Sequence, residues 1–162
     1  MGEVFYVKLN KFMLNHKNFS KTVLLFNKTV TLLIYVFYPA LLIFLFKIKF
    51  NNILQMVLVP LISLIILSVM RKAINFPRPF ERFNITPLCR CKKGCSMPSR
   101  HTFCIVIIAL SSFLVNTVLG SIIVFLGVIL AVCRVLLGVH TIRDVTVAIL
   151  SAVLSFIIGT LI

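Results

Sequence analysis

Carboxylates are nearly absent from this chain. Its 162 residues include 17 lysines and arginines but only three acidic residues, Glu3, Glu81 and Asp144. At most three cations can therefore pair with a carboxylate inside the chain, and the others need water or an external anion. The scarcity also excludes a cluster of Asp and Glu side chains of the kind that holds magnesium.

Charged residues are also nearly absent from five long apolar segments. The composition is 60% hydrophobic and the mean hydropathy is +1.13, which lies outside the range of soluble globular proteins. Each segment is close to the length that a helix needs to cross a membrane, and helices satisfy their own backbone in lipid. We therefore predict an all-α integral membrane bundle of about five transmembrane helices. The segments are residues 29–46, 53–70, 102–119, 121–137 and 145–162.

The sequence lacks a small-residue cleavage site after its first apolar residues, so we do not expect a cleaved signal peptide. Residues 1–28 carry five lysines and are too polar to span a membrane. They form either an interfacial helix, with its lysines toward the head groups, or a basic tail. No repeat or low-complexity linker interrupts residues 29–162, which we predict to form one transmembrane domain.

The excess of positive charge needs an anionic partner. In a membrane protein the nearest anions are lipid phosphates. Nucleic acid is another partner of basic proteins, but here the cations do not lie on a soluble face interleaved with aromatic residues. We therefore expect a membrane and a lipid phosphate as partners, and no nucleic acid.

Three short polar clusters lie at the ends of the apolar segments. The first follows the second segment, the second precedes the third segment, and the last joins the fourth segment to the fifth. Because successive crossings alternate in direction, all three clusters fall on the same side of the membrane. We therefore predict one site, built from Arg71…Arg78-Pro79, Pro98-Ser99-Arg100-His101 and Arg134…His140…Asp144.

The first two clusters have the chemistry of an anion site. Arg71 and Arg78 are seven residues apart, which predicts one helical face, and guanidinium groups suit phosphate oxygens; the alternative is a pair of arginines reaching toward head groups. The second cluster opens a helix, whose unpaired N–H groups and positive dipole end favour phosphate. Ser99 is either the N-cap or a ligand donor, and the alternative is a capping serine with a surface histidine.

The third cluster is the hardest to explain without a function. Arg134 lies among apolar residues, and a charge at membrane depth costs about 2.5–3.5 kcal/mol at a helix centre. His140 and Asp144 are four residues apart, so one helical face would bring them together. Asp144 would then accept the proton of one ring nitrogen and leave the other free to attack. The alternative is an ion pair at a helix terminus.

The pattern resembles the type 2 phosphatidic acid phosphatase superfamily, which also includes undecaprenyl diphosphate phosphatases and vanadium haloperoxidases. The signature of that family is Lys-x6-Arg-Pro, then Pro-Ser-Gly-His, then Ser-Arg-x5-His-x3-Asp. Order and spacing match in this chain, which departs from the signature at three positions. Arg71 stands in place of Lys with Lys72 beside it, Arg100 in place of Gly, and Cys133 in place of Ser.

The resemblance implies metal-independent hydrolysis of a lipid phosphomonoester or diphosphate through a phosphohistidine, without a cofactor. His140 would be the nucleophile, Asp144 would orient it, and His101 would protonate the leaving oxygen and then activate water. The remaining residues would hold the phosphoryl oxygens as negative charge develops. These are Arg71 or Lys72, Arg78, Ser99, the Arg100 amide and Arg134.

The resemblance leaves the substrate open among undecaprenyl diphosphate, phosphatidic acid and phosphatidylglycerol phosphate. Two other functions remain: a haloperoxidase-like vanadate-binding protein, and a non-enzymatic membrane protein that binds anionic lipid. We expect a bacterial plasma membrane. The lysines of residues 1–28 favour a cytoplasmic site, whereas bacterial relatives usually place it on the outer face, and we favour the outer face.

Three cysteines crowd the long polar loop between the second and third segments. Cys89, Cys91 and Cys95 are free thiols, partners in a loop disulfide, or ligands of a zinc ion that would need a fourth ligand. His101, the closest candidate for that ligand, already has a role in the expected site. We therefore predict no metal site.

Overall fold

The computed structural model describes residues 2–161, which form six long helices and one four-residue helix. The prediction of an all-α chain is confirmed. Met1 and Ile162, the outermost residues of the predicted N-terminal segment and of the fifth apolar segment, lie outside the described residues. The helices are α1 (Gly2–Asn15), α2 (Lys17–Lys47), α3 (Ile53–Ile74), α4 (Pro79–Arg82), α5 (Arg100–Phe113), α6 (Thr117–Leu136) and α7 (Ile142–Leu161).

Four helices of the described chain, α2, α3, α6 and α7, are long and apolar enough to cross a membrane. These four account for four of the about five predicted transmembrane helices, and α5 is a shorter apolar helix that leads the chain from the end of α3 back toward the start of α6. The predicted segment 102–119 is not one helix, because α5 ends at Phe113 and the Asn116 side chain caps α6 by accepting bonds from the amides of Val118 and Leu119 at 2.8 and 3.1 Å. With 14 residues, α5 is about 21 Å long, shorter than the hydrocarbon core of about 30 Å.

Helix α5 is the central element of the bundle. It packs against α3, α6 and α7, and nine of its 14 residues are buried. Small residues allow this packing: Ala148 and Ala152 of α7 are fully buried, and a Cβ atom on Gly120 of α6 would lie 2.6 Å from the Phe113 ring. Because α5 is enclosed by its neighbours, a side chain at its N-terminus is surrounded by the ends of three other helices.

The N-terminal segment is helical and attached to the bundle. Tyr6 of α1 accepts a hydrogen bond from the Ile142 amide at 3.0 Å. Asn10 donates to the Thr86 carbonyl at 2.7 Å and accepts from the Thr86 amide at 3.2 Å. Helix α2 begins at Lys17 and continues without a break past residue 28, so the predicted division between residues 28 and 29 falls inside a helix.

Candidate functional site

A polar cavity of about 680 Å³ lies where α3 and α6 end and α5 begins. Among residues 2–161, nine cationic side chains line this cavity, and no Asp or Glu side chain does. Six of the nine predicted site residues line the cavity, and Ser99, His140 and Asp144 lie buried behind them. The cationic lining residues are Lys28, Arg71, Lys72, Arg78, Arg90, Lys92, Lys93, Arg100 and Arg134.

His140 and Asp144 are paired at the base of the site. The distance between His140 Nδ1 and Asp144 Oδ2 is 3.7 Å, and both side chains are buried. The expectation that they share one helical face is wrong, because α7 begins at Ile142 and His140 lies in the preceding turn. Gly138, with a φ of +71°, makes that turn possible. The chain therefore returns His140 to Asp144 by a reversal between two helices.

Asp144 is held in one orientation by hydrogen bonds from Ser96 and Thr141. Its Oδ2 atom accepts from the Ser96 hydroxyl at 2.6 Å and from the Thr141 amide at 2.8 Å. Burial lowers the pKa of His140 to about 4, against the opposing effect of Asp144. The imidazole is therefore neutral at pH 7, which is the form that can act as a nucleophile.

Two buried arginines keep unused donors. Arg134 donates from Nη1 to Asn27 Oδ1 at 3.4 Å, and Arg78 donates from Nε to the Gly94 carbonyl at 3.1 Å. Arg134 Nε and Arg78 Nη1 are buried and have no partner among residues 2–161. Because buried donors are nearly always paired in folded proteins, these two nitrogens indicate that an anion belongs in the cavity.

Arg71 and Arg78 do not share a helical face, contrary to the expectation from their spacing. Helix α3 ends at Ile74, and Asn75 follows with a left-handed φ of 41°. Arg78 is the N-cap residue of α4, where its amide donates to Glu81 Oε2 at 2.9 Å. The two arginines reach the same cavity because the chain turns between them.

The first motif position has two cations with different surroundings. Arg71 donates from its terminal nitrogens to the carbonyls of Cys95 and Pro98, which ties the end of α3 to the loop before α5. Lys72 is exposed and lines the cavity as well. Arg71 thus combines a position at the cavity with a role in holding the loop.

The start of α5 contributes three successive residues. Ser99 is the N-cap residue but makes no capping bond with its side chain; its hydroxyl accepts from Thr102 Oγ1 at 3.0 Å, and its amide donates to the Asp144 carbonyl at 3.0 Å. Arg100 and His101 follow in the first turn and line the cavity. The helix start is therefore bonded to the element that carries Asp144.

Sequence reasoning missed two residues that support the site. Ser96 bonds Asp144, and Asn27 of α2 bonds Arg134. Asn27 could have been considered from the sequence, because it is a polar amide just before the first apolar segment. Ser96 could not, because 48 residues separate it from its partner.

The five cysteines are free thiols in this structure. Cys89, Cys91 and Cys95 line the cavity, where burial raises the pKa of Cys91. Among the described residues, no three His, Cys, Asp or Glu side chains are grouped so that they could hold a metal ion.

An apolar groove of about 300 Å³ runs between α2, α3 and α5. Three of its lining residues, Ile34, Tyr35 and Cys104, also line a small cavity of about 10 Å³ that His101 lines as well. Next to the groove, the Tyr38 hydroxyl donates to the Met56 carbonyl at 2.6 Å and joins α2 to α3. The groove therefore lies next to His101 and extends along the apolar part of the bundle.

Comparison with known proteins gives one family and several similar solved structures. Residues 52–162 match the family model of the PAP2 superfamily, and none of the curated proteins matches the chain. The crystal structure of Aquifex aeolicus LpxE has a TM-score of 0.72 and 24% identity, with 85% of each chain covered.

Another similar solved structure is the crystal structure of the first transmembrane PAP2 type phosphatidylglycerolphosphate phosphatase from Bacillus subtilis. Its TM-score is 0.66 and its identity 20%, with 97% of this chain and 91% of that chain covered. At this level of identity, both structures show that the fold is shared.

Proposed function

Since the chain belongs to the PAP2 superfamily, we propose that it is a membrane phosphatase that hydrolyses a lipid phosphomonoester or diphosphate through a phosphohistidine. The observation that carries this proposal is the buried His140–Asp144 pair beside a cavity with nine cations and no carboxylate among its described lining residues. A neutral imidazole next to a strongly cationic cavity suits attack on a phosphate, because the cations bind the anion while the imidazole keeps its lone pair.

In the first step, Nε2 of His140 attacks phosphorus and the bond to the leaving oxygen breaks. Nδ1 carries the proton and faces Asp144, which stabilises the positive charge that develops on the ring. His101 protonates the leaving oxygen after the bound phosphate anion raises the pKa of this histidine, which burial and the neighbouring arginines otherwise hold low. The separation of 3.7 Å between His140 and Asp144 exceeds hydrogen-bond range, and such contacts shorten in substrate complexes.

In the second step, His101 takes a proton from water, which attacks the phosphohistidine and releases inorganic phosphate and free His140. Arg78 and Arg134 hold the phosphoryl oxygens with the nitrogens that have no described partner. Ser99, the Arg100 amide at the start of α5, and Arg71 or Lys72 complete the proposed phosphate site. No step requires a metal or a cofactor.

The apolar groove supports a lipid as the substrate. It adjoins His101, which protonates the leaving oxygen, so the apolar part of the leaving group has a place beside the reacting centre. Four long apolar helices also favour a lipid phosphatase over a haloperoxidase-like vanadate-binding protein, for which a soluble fold is expected. Undecaprenyl diphosphate, phosphatidic acid and phosphatidylglycerol phosphate are the candidate substrates.

The test is phosphate release from these three lipids by the purified protein in detergent containing EDTA. We expect turnover that vanadate inhibits, since vanadate mimics pentavalent phosphorus. His140→Gln should lose at least about 10³-fold in kcat, because no nucleophile remains. His16→Gln is the matched control, since His16 is exposed and lies outside the cavity.

Two results would contradict the proposal. Turnover by His140→Gln at the rate of the unaltered protein would exclude a phosphohistidine at His140. A requirement for added Mg²⁺ would exclude the metal-independent mechanism. A protein that binds anionic lipid without catalysis would retain lipid binding in the His101→Gln/His140→Gln double variant and would release no phosphate in any form.

A further inference from the structure

The cations of the cavity form two groups that differ in burial. Arg71, Arg78 and Arg134 are buried or half-buried, and each is hydrogen-bonded to the protein. The other six are exposed, and we call them the outer cations. The outer cations are Lys28, Lys72, Arg90, Lys92, Lys93 and Arg100.

The buried group alone meets the needs of one phosphoryl group. A phosphomonoester carries a charge of about −1.5 to −2 at neutral pH, and three guanidinium groups balance it. The outer cations therefore carry charge that the reacting phosphate does not neutralise. The one ion pair among residues 2–161 joins His140 to Asp144, so no outer cation is paired with a carboxylate there.

The loop that carries Lys92 and Lys93 is fixed by hydrogen bonds between its Gly94 backbone and the side chains of Glu81 and Arg78. The Gly94 amide donates to Glu81 Oε2 at 2.8 Å, and the Gly94 carbonyl accepts from Arg78 Nε at 3.1 Å. Gly94 has a φ of +67°, and a Cβ atom there would lie 2.4 Å from Asn75 Oδ1. The same arginine that offers an unpaired nitrogen to the inner anion thus fixes the backbone next to the two lysines.

Arg100 adds a charge where the family signature has glycine. It is the first residue of α5, it is exposed, and it lines the cavity. A glycine at this position offers a backbone amide alone, whereas Arg100 adds a guanidinium group that can bind two phosphate oxygens at once. The departure from the signature therefore increases the capacity of the cavity for anions.

We infer that the lipid substrate carries a second phosphate besides the one that is hydrolysed, and that Arg100, Lys92 and Lys93 bind this second phosphate. This inference rests on the proposed function for the reaction itself. It selects a lipid diphosphate, or a lipid with a phosphodiester next to its phosphomonoester, over a lipid with a single phosphomonoester. The volume of about 680 Å³ lies within the range of about 300–1,000 Å³ of ligand pockets.

The first experiment measures binding and does not depend on turnover. In neutral detergent, the His140→Gln protein is titrated with inorganic pyrophosphate and with orthophosphate. We expect pyrophosphate to bind at least about tenfold more tightly, because charged hydrogen bonds to the second phosphate add to those of the first. Adding Arg100→Gln, Lys92→Gln and Lys93→Gln should remove most of this difference.

The matched control is Lys8→Gln/Lys11→Gln, which removes two exposed cations of α1 that do not line the cavity. This pair should leave the preference for pyrophosphate unchanged. Equal affinities of the His140→Gln protein for pyrophosphate and orthophosphate would overturn the inference. So would a loss of preference in the control pair as large as that in the Arg100, Lys92 and Lys93 variant. Neither result would bear on the phosphohistidine reaction.

The second experiment compares kcat/KM for phosphatidylglycerol phosphate and phosphatidic acid in the same neutral detergent. When Arg100, Lys92 and Lys93 are all substituted with Gln, the kcat/KM for phosphatidylglycerol phosphate relative to that for phosphatidic acid should fall about tenfold. The competing source of the second phosphate is a neighbouring anionic lipid. If the ratio is unchanged and only a stimulation by added phosphatidylglycerol disappears, the outer cations bind membrane lipid and the inference is wrong. A protein that hydrolyses neither lipid would contradict the proposed function, and the pyrophosphate titration would still decide the inference.

Discussion

At the scale of single residues, the site depends on a histidine that is neutral because it is buried. His140 is 1% exposed, and its pKa of about 4 lies well below the usual value because burial penalises the charged ring. Asp144 acts in the opposite direction, but the Ser96 hydroxyl and the Thr141 amide share the charge of its carboxylate. The protein therefore stabilises the neutral form of His140, which is the form that the proposed attack on phosphorus requires.

This burial predicts a dependence of stability on pH. An unfolded histidine titrates near pH 6.5, so between pH 6.5 and about 4 the unfolded chain binds more protons at this residue than the folded chain. Stability contributed by His140 is therefore present above pH 6.5 and is lost as the pH falls toward 4. From pH 7 to pH 5 the loss is about 2 kcal/mol in the free energy of unfolding.

The measurement is unfolding in detergent at pH 7 and pH 5, for the unaltered protein and for His140→Gln. The variant should lose about 2 kcal/mol less between the two pH values, since its glutamine does not titrate. His16→Gln should behave like the unaltered protein. Equal losses in His140→Gln and the unaltered protein would show that His140 is not buried in its neutral form.

At the scale of elements, the short helix α5 connects the two chemical halves of the site. Its first turn carries Arg100 and His101 at the polar cavity. Its next turns carry Cys104, Ile107 and Ile108 along the apolar groove. One helix thus presents the head-group site and the wall of the proposed lipid-chain site in a fixed relation.

The groove can be tested by filling it. Leu64→Trp places a larger side chain among the lining residues of α3, and each excluded methylene of a lipid chain loses about 0.8 kcal/mol of apolar burial. We expect kcat/KM for a long-chain lipid phosphate to fall at least about tenfold relative to that for a dibutyryl analogue. Phosphate release from the two substrates under identical conditions gives this ratio.

Leu154→Trp is the control for this test, because Leu154 is an exposed leucine of α7 that lies outside the groove. It should leave the ratio of the two substrates unchanged. If Leu64→Trp slows the long and the short substrate equally, the groove does not hold the lipid chain.

The elements also show what the sequence could and could not predict. Apolar length correctly predicted four helices that can span a membrane, because hydrophobicity depends on composition alone. It failed at α5, where Asn116 starts a new helix by capping it inside an apolar run. The spacing of His140 and Asp144 predicted their proximity, but the reason is a turn at Gly138 and not a shared helix.

Which distant residues pair with each other was beyond prediction. The hydrogen bonds of Ser96 to Asp144 and of Asn27 to Arg134 connect residues 48 and 107 positions apart. A single sequence has no periodicity that links such pairs. The motif residues were accessible because their order and spacing are tied to the ends of helices, whereas the residues that hold them depend on the packing of the complete bundle.

At the scale of the whole molecule, positive charge is concentrated at one end. The outer cations and the buried arginines surround the cavity, and Lys47 and Lys49 lie near the turn at the opposite end. Several cations on the site side have proposed roles in phosphate binding, so they are poor indicators of orientation. The lysines of residues 1–28 are the main argument for a cytoplasmic site, and the proposed outer-face location requires that they do not determine the orientation.

Cysteine labelling tests the orientation. Cys91 and Cys95 line the cavity, so a membrane-impermeant maleimide should label them in intact bacterial cells if the site is on the outer face. In a variant with Cys89, Cys91 and Cys95 replaced by serine and with Asn51→Cys added, labelling should require opened membranes, because Asn51 is exposed in the turn at the other end. The reverse pattern would place the site in the cytoplasm.

The attachment of α1 has a consequence for truncation of the chain. The family match begins at residue 52, and α1 lies outside it. Tyr6 and Asn10 nevertheless form hydrogen bonds with Ile142, which follows His140, and with Thr86, which precedes the cysteine-rich loop. A fragment reduced to the family core would keep every proposed reacting group and the helices α3 to α7, but it would lose α2 with Asn27 as well as α1. It would lose the contacts that hold two active-site loops at a fixed separation, so the smallest unit that carries the motifs is smaller than the smallest unit that maintains their geometry.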